Sequence, residues 1–435
     1  MKDKLKIPLG IKLFLILVLP FSGFHQASAQ SSTDMAIGAM DIPVVSNNNY
    51  KDTTKPAKKY ELAPIPVIAV NPTTGLLGGI LLGVNFKMGD PAKETRTSAF
   101  LAGVYYTSNN QLFTSLRGSA FTEENKLFLL TDIRFNLNSQ PTYGLGSKIT
   151  LASQTIVGDD GEVSDNPYKK VPNQQMMAFN NFRFYQTVSK RLNKSHFYYG
   201  IGYHLDKIWA IDDKQLDLNA VPPVITYHYD YQTKKGISTE SYTQSGVSLN
   251  ATFDTRDNVI NPYDGQFAFI SFRALPKFLG STTNATQLWM EYRNYFHLDK
   301  NRPRNLIAVW TYGWFVTSGT SSYMWLPAVG WDMFARSGRP YTQGRFRGED
   351  VVYGEAEWRF PLQKTKERWG AVLFLNSTTA SNRTGNIGLF NYFQLGYGGG
   401  LRFMIKEKNR VNLGLDYGFG AHGAQGLFLN LNEYF

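Results

Sequence analysis

Apolar and polar residues alternate along most of the chain. In Lys126 to Leu137, Leu127, Leu129, Ile133, Phe135 and Leu137 share one parity, and Asp132, Arg134 and Asn136 the other. In Gln287 to Leu298, Leu288, Met290, Tyr292, Phe296 and Leu298 oppose Gln287, Glu291, Arg293 and His297. Ala356, Trp358 and Phe360 oppose Glu355, Glu357 and Arg359, and Val411 to Phe419 repeats the pattern against Asn412, Gly414, Asp416 and Gly418. Period-two alternation of this length predicts strands with one apolar and one polar face. Sixteen are expected, at 75–88, 96–107, 111–121, 126–137, 144–153, 180–190, 196–209, 242–256, 265–275, 286–298, 305–316, 351–362, 369–379, 393–406, 410–420 and 427–435.

Such strands suit either a soluble sandwich, apolar faces inward, or a transmembrane barrel, apolar faces toward lipid and polar faces toward a lumen. Three features favour an all-β, transmembrane antiparallel barrel. Charges of both signs sit mid-strand, as in Glu355-x-Glu357-x-Arg359, where a wet interior lets them pair. Segment ends are rich in Tyr, Trp and Phe, as interfacial girdles require. Connections alternate between short (122–125, 299–304, 407–409) and long (154–174, 212–236, 318–348). Roughly ten residues suffice for one tilted crossing.

Composition adds the compartment. Lys2, Lys4 and Lys6 precede an apolar stretch, Leu13 to Phe21, and Ala27-Ser28-Ala29 supplies a small-x-small cleavage pattern. Residues 1–29 therefore read as a signal peptide. Residues 30–60 are polar and aperiodic and read as a disordered lead-in, leaving 61–435 as the barrel. Removing the leader's four Lys and one Asp takes the net charge from +11 to +8 (11 − 4 + 1). No basic run interleaved with aromatics accompanies that excess, so nucleic acid is not an expected partner. The chain has no Cys, which excludes disulfides, a lipid-modified cysteine and thiolate metal sites. Its six His are scattered, with neither a nucleophile elbow nor a metal-ligand motif, so neither an enzyme nor a cofactor or metal site is expected. His204 and Asp206 share a lumen parity, a pattern that strands also produce without chemistry.

The sequence finishes on Leu427 to Phe435, an apolar edge expected to pair with the first strand. A terminal Phe435 is expected at the membrane interface, resembling the C-terminal signal read by bacterial outer-membrane assembly machinery.

Three stretches together resemble the BamA/TamA superfamily, also called the bacterial surface-antigen family. Asp254-Thr255-Arg256-Asp257, with Pro262 and Gly265, is similar to that family's D-x-R-D…P-x-x-G hairpin. Gly338 to Leu362, closing on Glu357-Trp358-Arg359-Phe360-Pro361-Leu362, is similar to its sixth extracellular loop and following strand. Gly398 to Phe403, Leu415-Asp416-Tyr417-Gly418 and Phe435 are similar to its last strands. The resemblance implies a long loop folded into the lumen whose tip arginine pairs with acidic groups on the wall. Aligned from Arg359, the tip falls on Arg339-Pro340-Tyr341, with Pro340 where the family carries Gly; Arg345 and Arg347, before Gly348, are rivals. Available wall partners are Glu355, Glu357, Arg359, Arg402 and Asp416, with Asn376 where the family often has Asp.

Family members that assemble or translocate proteins carry periplasmic strand-adding domains. The 30 residues between the leader and Tyr60 are too few for one. The resemblance implies an outer-membrane barrel in protein or lipid assembly or translocation. Its implied partners are membrane lipids and either the barrel-assembly machinery or a separate periplasmic protein. The expected mechanism is a weak seam between first and last strands, loosened by Gly75, Gly78, Gly79 and Gly83. A passive porin constricted by loop 318–348, or a surface receptor, is the alternative.

Overall fold

The structure is a computed structural model. It describes residues 60–435 except 72–74, 90–94, 97, 150–155, 158–162, 165–173, 194, 259–260, 333–334, 365–367 and 408–409. The leader and lead-in lie outside the described residues. Sixteen strands form one sheet, each hydrogen-bonded to the next in sequence and every neighbouring pair antiparallel. They are β1 (Tyr60–Asn71), β2 (Gly75–Phe86), β3 (Ser98–Thr107), β4 (Leu112–Phe121), β5 (Leu127–Thr142), β6 (Gln175–Arg191), β7 (Phe197–Asp213) and β8 (Tyr242–Asp254). The second half comprises β9 (Gly265–Leu275), β10 (Ala285–His297), β11 (Leu306–Gly319), β12 (Asp350–Pro361), β13 (Trp369–Ala380), β14 (Gln394–Lys406), β15 (Val411–Gly420) and β16 (Gln425–Leu431).

The expected count is met with two changes of identity. Residues 144–149 form no strand. Gly144 and Gly146 take φ of 83° and 89°, turning the chain so that Ser147 N donates to the Ala380 carbonyl on the far wall at 3.1 Å. The remainder of the expected 144–153 strand lies outside the described residues. The first strand is β1, not 75–88. Its Pro64 and Pro66 mask it in sequence, yet register with β2 runs unbroken through both. That is possible only if both missing donors lie on the edge away from β2.

Burial is inverted relative to a soluble protein. Outward residues are large and apolar, with Ile201 and Leu249 each 66 % exposed, while Asp416 and Glu357 inside are at 0 %. Tyr60, Phe197, Phe296, Trp358 and Trp369 form an exposed aromatic band near one rim, and Tyr106, Tyr397 and Phe419 another near the opposite rim. The long connections 143–174, 214–241 and 320–349 share that second rim, the loop rim; the first carries the turns 122–126, 192–196 and 407–410. Among the described residues no helix is long and apolar enough to cross a membrane; the strands do so. The 214–241 connection holds one helix, α1 (Tyr227–Lys234), capped by Thr226.

The lumen is more aromatic than the sequence pattern predicts: Trp310, Tyr312 and Trp314 point inward and join Trp289, Tyr295 and Tyr353 in one buried cluster. Gly79 lies in the second strand, where a Cβ would stand 2.3 Å from the Val104 carbonyl oxygen. It serves close strand approach rather than seam loosening.

The inverted arrangement makes mid-strand outward positions the sensitive ones. Leu249→Arg is expected to destabilise insertion by about 2–4 kcal/mol, measured as a shift in the urea midpoint for folding into vesicles. Leu249→Val, which keeps the outward position apolar, should shift it far less.

Candidate functional site

The 320–349 loop descends into the lumen, and its tip meets the inner wall of β12 to β15. Arg339 is fully buried. Its Nη1 donates to Asp416 Oδ2 at 2.7 Å, and its Nη2 donates to both Glu355 and Glu357. The period-two geometry of β12 puts those two glutamates on one face, two residues apart. Phe374 and Tyr434 sandwich the guanidinium, with ring centroids 3.9 and 3.6 Å from its carbon. Burial disfavours the Arg339 charge, but Glu355, Glu357 and Asp416 outweigh it and raise the pKa well above the ordinary arginine value.

Glycines make the recess for the tip. A Cβ on Gly396 would stand 2.3 Å from the Arg339 carbonyl oxygen, and one on Gly420 would stand 2.8 Å from the Tyr341 ring. Asn376 Nδ2 donates to the Arg339 carbonyl at 2.5 Å, and Tyr341 Oη donates to the Leu395 carbonyl at 2.5 Å. Pro340 is accommodated where the family has Gly, because the wall supplies the missing space.

The rival arginines have other contacts. Arg347 Nη1 donates to the carbonyls of Tyr323, Met324 and Leu326 at 3.1, 2.8 and 3.3 Å. It braces the loop from within, and burial lowers its pKa. Arg345 stacks over Tyr143, 4.3 Å from the centroid. Gly348 passes so close to Ser381 that a Cβ would stand 2.0 Å from its carbonyl oxygen.

The last four residues do not continue β16. Asn432 takes φ of 76°, a left-handed step that Asn tolerates, and residues 432–435 turn into the lumen, all buried. Phe435 is therefore inside rather than at the interface, 5.4 Å from the Trp310 centroid, with its main-chain oxygen accepting from Arg359 Nη2 at 2.8 Å. Glu433 accepts from Arg402 Nε at 2.7 Å and Asn412 Nδ2 at 2.6 Å. Arg402 also pairs with Asp416, and Arg359 with Glu357 at 2.6 Å. From the loop, Arg336 Nη1 donates to the carbonyls of Glu433 and Tyr434 at 3.0 and 2.9 Å. Loop and tail thus bind each other as well as the wall.

The β8–β9 hairpin closes this group from the turn rim. Arg256 holds Asp254 with two hydrogen bonds, 2.9 and 3.1 Å. Asp257 Oδ1 accepts the Tyr263 and Asp264 amides, Pro262 is buried in the turn, and Gly265 takes φ of 96°. The hairpin reaches across to the β14–β15 turn: Asp257 accepts from Arg410 Nη1 at 2.6 Å, and the Arg410 guanidinium lies 4.0 Å over the Tyr263 ring. Tyr263 joins the buried cluster containing Tyr295, Trp310 and Phe435. The three sequence motifs, separated by up to 180 residues, converge on one lumen hub. The tail's inward turn was not legible in the alternation, and Arg336 carried no motif.

The Omp85 superfamily domain matches residues 78–419. The chain belongs to that superfamily. This agrees with the motif resemblance. Among solved structures, BamA from Haemophilus ducreyi lacking POTRA domains 1–3 is similar at 12 % identity and a TM-score of 0.51, covering 86 % of this chain and 69 % of that one. CdiB from Acinetobacter baumannii is similar at 13 % identity and a TM-score of 0.49, covering 86 % and 60 %. No curated protein matches. Within this Omp85 barrel, the hub joins the superfamily's loop to the chain's own tail.

Removing one member of a buried ionic network strands its partners. Arg339→Ala is expected to cost about 3–5 kcal/mol, read as a urea midpoint shift in micelles, and to open the tail so that carboxypeptidase removes Phe435. Arg339→Lys keeps the charge but loses the planar fork and should not restore resistance. Arg347→Ala should admit protease to the loop while leaving the tail protected.

Proposed function

We propose that this barrel handles protein or lipid substrates at the bacterial outer membrane through the seam between β1 and β16, with the lumen hub as the lock on that seam. Superfamily membership and the apolar outer face support the location. The observation that carries the seam is the state of its two edges. Among the described residues no ladder joins β16 to β1. β1 runs for 12 residues and β16 for 7, because the tail leaves the sheet for the hub. Pro64 and Pro66 withhold two donors from the β1 edge, so any pairing there is weakened at both positions. An unpaired edge in lipid is unfavourable, and a substrate strand or lipid headgroup can supply what the seam lacks.

In this reading the hub sets how far β16 extends. Release of Glu433 from Arg402 frees four residues, about 13 Å of extended chain at ~3.3 Å each, to lengthen the last strand toward the β1 edge. Engagement withdraws them. Catalysis has no part in the reading. A passive channel has weaker support, since the loop packs inside the lumen both on β12 to β15 and on β6 to β8.

Because the chain has no native Cys, a cysteine pair placed across β1 and β16 forms a unique crosslink. Oxidation is expected to abolish the cellular phenotype of the unlocked protein, and reductant to restore it. Unchanged function under the lock would remove the seam from the mechanism. In planar bilayers the wild type should show low, flickering conductance, with larger openings in Arg339→Ala; a steady, large, ion-selective current in the wild type would favour the porin.

A further inference from the structure

Beside the hub the lumen contains a cavity of ≈ 210 Å³ between β4 and β11, reached from the loop by Trp331 and from the turn rim by Arg256. That volume far exceeds the ~10–15 Å³ needed for one water. Three side chains on its wall, His204, Asn250 and Ser271, are more than nine-tenths buried. The Nδ1 of His204, the Oδ1 of Asn250 and the Oγ of Ser271 have no hydrogen-bond partner in the protein. His204 and Asn250 spend their other polar atoms on Ser248 Oγ, at 2.8 Å each, which fixes both side chains in place. Trp331 Nε1 and Arg273 Nε, on the same wall, also lack protein partners. A buried polar atom left unmet is unfavourable and favours a ligand that meets it.

Charge on this wall is nearly balanced. Arg183 pairs with Asp206 and Arg293 with Glu291, both at 2.7 Å, and Arg256 pairs with Asp254 at 2.9 Å. Arg273 has no carboxylate within ion-pair distance among the described residues, and instead stands over the Tyr185 ring, 5.1 Å from its centroid. The remaining wall is flat and aromatic, with Trp289, Trp314 and Phe269 facing the same space.

Flat aromatic faces receive a ring's C–H surface. A mixture of free donors and acceptors suits hydroxyls, which serve as both. One uncompensated guanidinium suits a carboxylate. We propose that this cavity binds a sugar acid, a pyranose ring stacked on the tryptophan faces with its carboxylate on Arg273 and its hydroxyls on His204, Asn250, Ser271 and Trp331.

The test is calorimetric titration of the full chain in detergent micelles with sodium glucuronate, glucose and sodium acetate, with tryptophan fluorescence read in parallel. Glucuronate is expected to bind saturably with a fluorescence change, glucose about tenfold more weakly, and acetate not measurably. Arg273→Gln should reduce glucuronate binding to the glucose level, a tenfold loss worth ~1.4 kcal/mol, with Trp331→Phe weakening both sugars. Arg273→Lys, checked for folding by its heat-modifiable gel migration, should keep the preference for the acid if the Gln variant does not fold. Absence of saturable glucuronate binding, equal binding of acetate, or an Arg273→Gln variant that binds glucuronate normally would each overturn the proposal, the first leaving the cavity to water.

Discussion

A guanidinium buried in a protein interior needs acceptors for its charge and its donors, and Arg339 meets three carboxylates. That requirement organises the lumen. Glu355 and Glu357 come from one strand and Asp416 from another three places along the sheet, so satisfying a single loop residue fixes the loop against two separate parts of the wall. The ring of Tyr434 covers one guanidinium face, which brings the tail into the same arrangement. Arg402 and Arg359 balance the acids that Arg339 does not saturate, and Glu433 balances them in turn. No single pair in this group is isolated from the next. Its members therefore stand or fall as a network rather than as separate bridges.

The sheet around the hub answers a different demand. In hydrocarbon every backbone group must find a partner, and adjacent strands supply this from β1 through β16. Side chains then sort by solvent: leucine, isoleucine and valine outward, acids and arginines inward. Backbone pairing is weakest at the two ends of the sheet. β1 carries prolines, and β16 gives up its final residues to the lumen. The β16 edge thus adjoins the interior network that holds the tail.

Much of this was legible in the sequence because it is local. Alternation located β12 and assigned Glu355, Glu357 and Arg359 to the lumen, since a strand's parity is fixed wherever its charged face is. The loop arginine could be aligned because the E-W-R-F-P-L run anchors the count. What escaped was either locally disguised or non-local. Pro64 and Pro66 make β1 read as a break, although both lie where a proline costs the sheet nothing on its β2 side. Residues 144–149 carry strand-like residues, but two positive-φ glycines divert them to a contact with β13. The turn at Asn432 depends on a destination, the Arg402–Asn412 pocket, that parity cannot reveal. The hairpin's reach from Asp257 to Arg410 spans 153 residues and has no trace in spacing. The inward aromatics of β10 and β11 obey the expected parity while violating the expected polarity, because the folded loop turns that sector of the lumen into a core.

Buried ionic pairing makes loop and tail one cooperative unit inside the barrel, to which the hairpin is joined through Tyr263 in the aromatic cluster. Amide hydrogen exchange on the full chain in micelles tests it most directly. Residues 338–348 and 432–435 are predicted to exchange as slowly as the strands β12 and β15 that hold them, and to open together with the same free energy. Exchange of the loop tip at the rate of the solvent-facing 217–223 stretch, or independent opening of loop and tail, would contradict this.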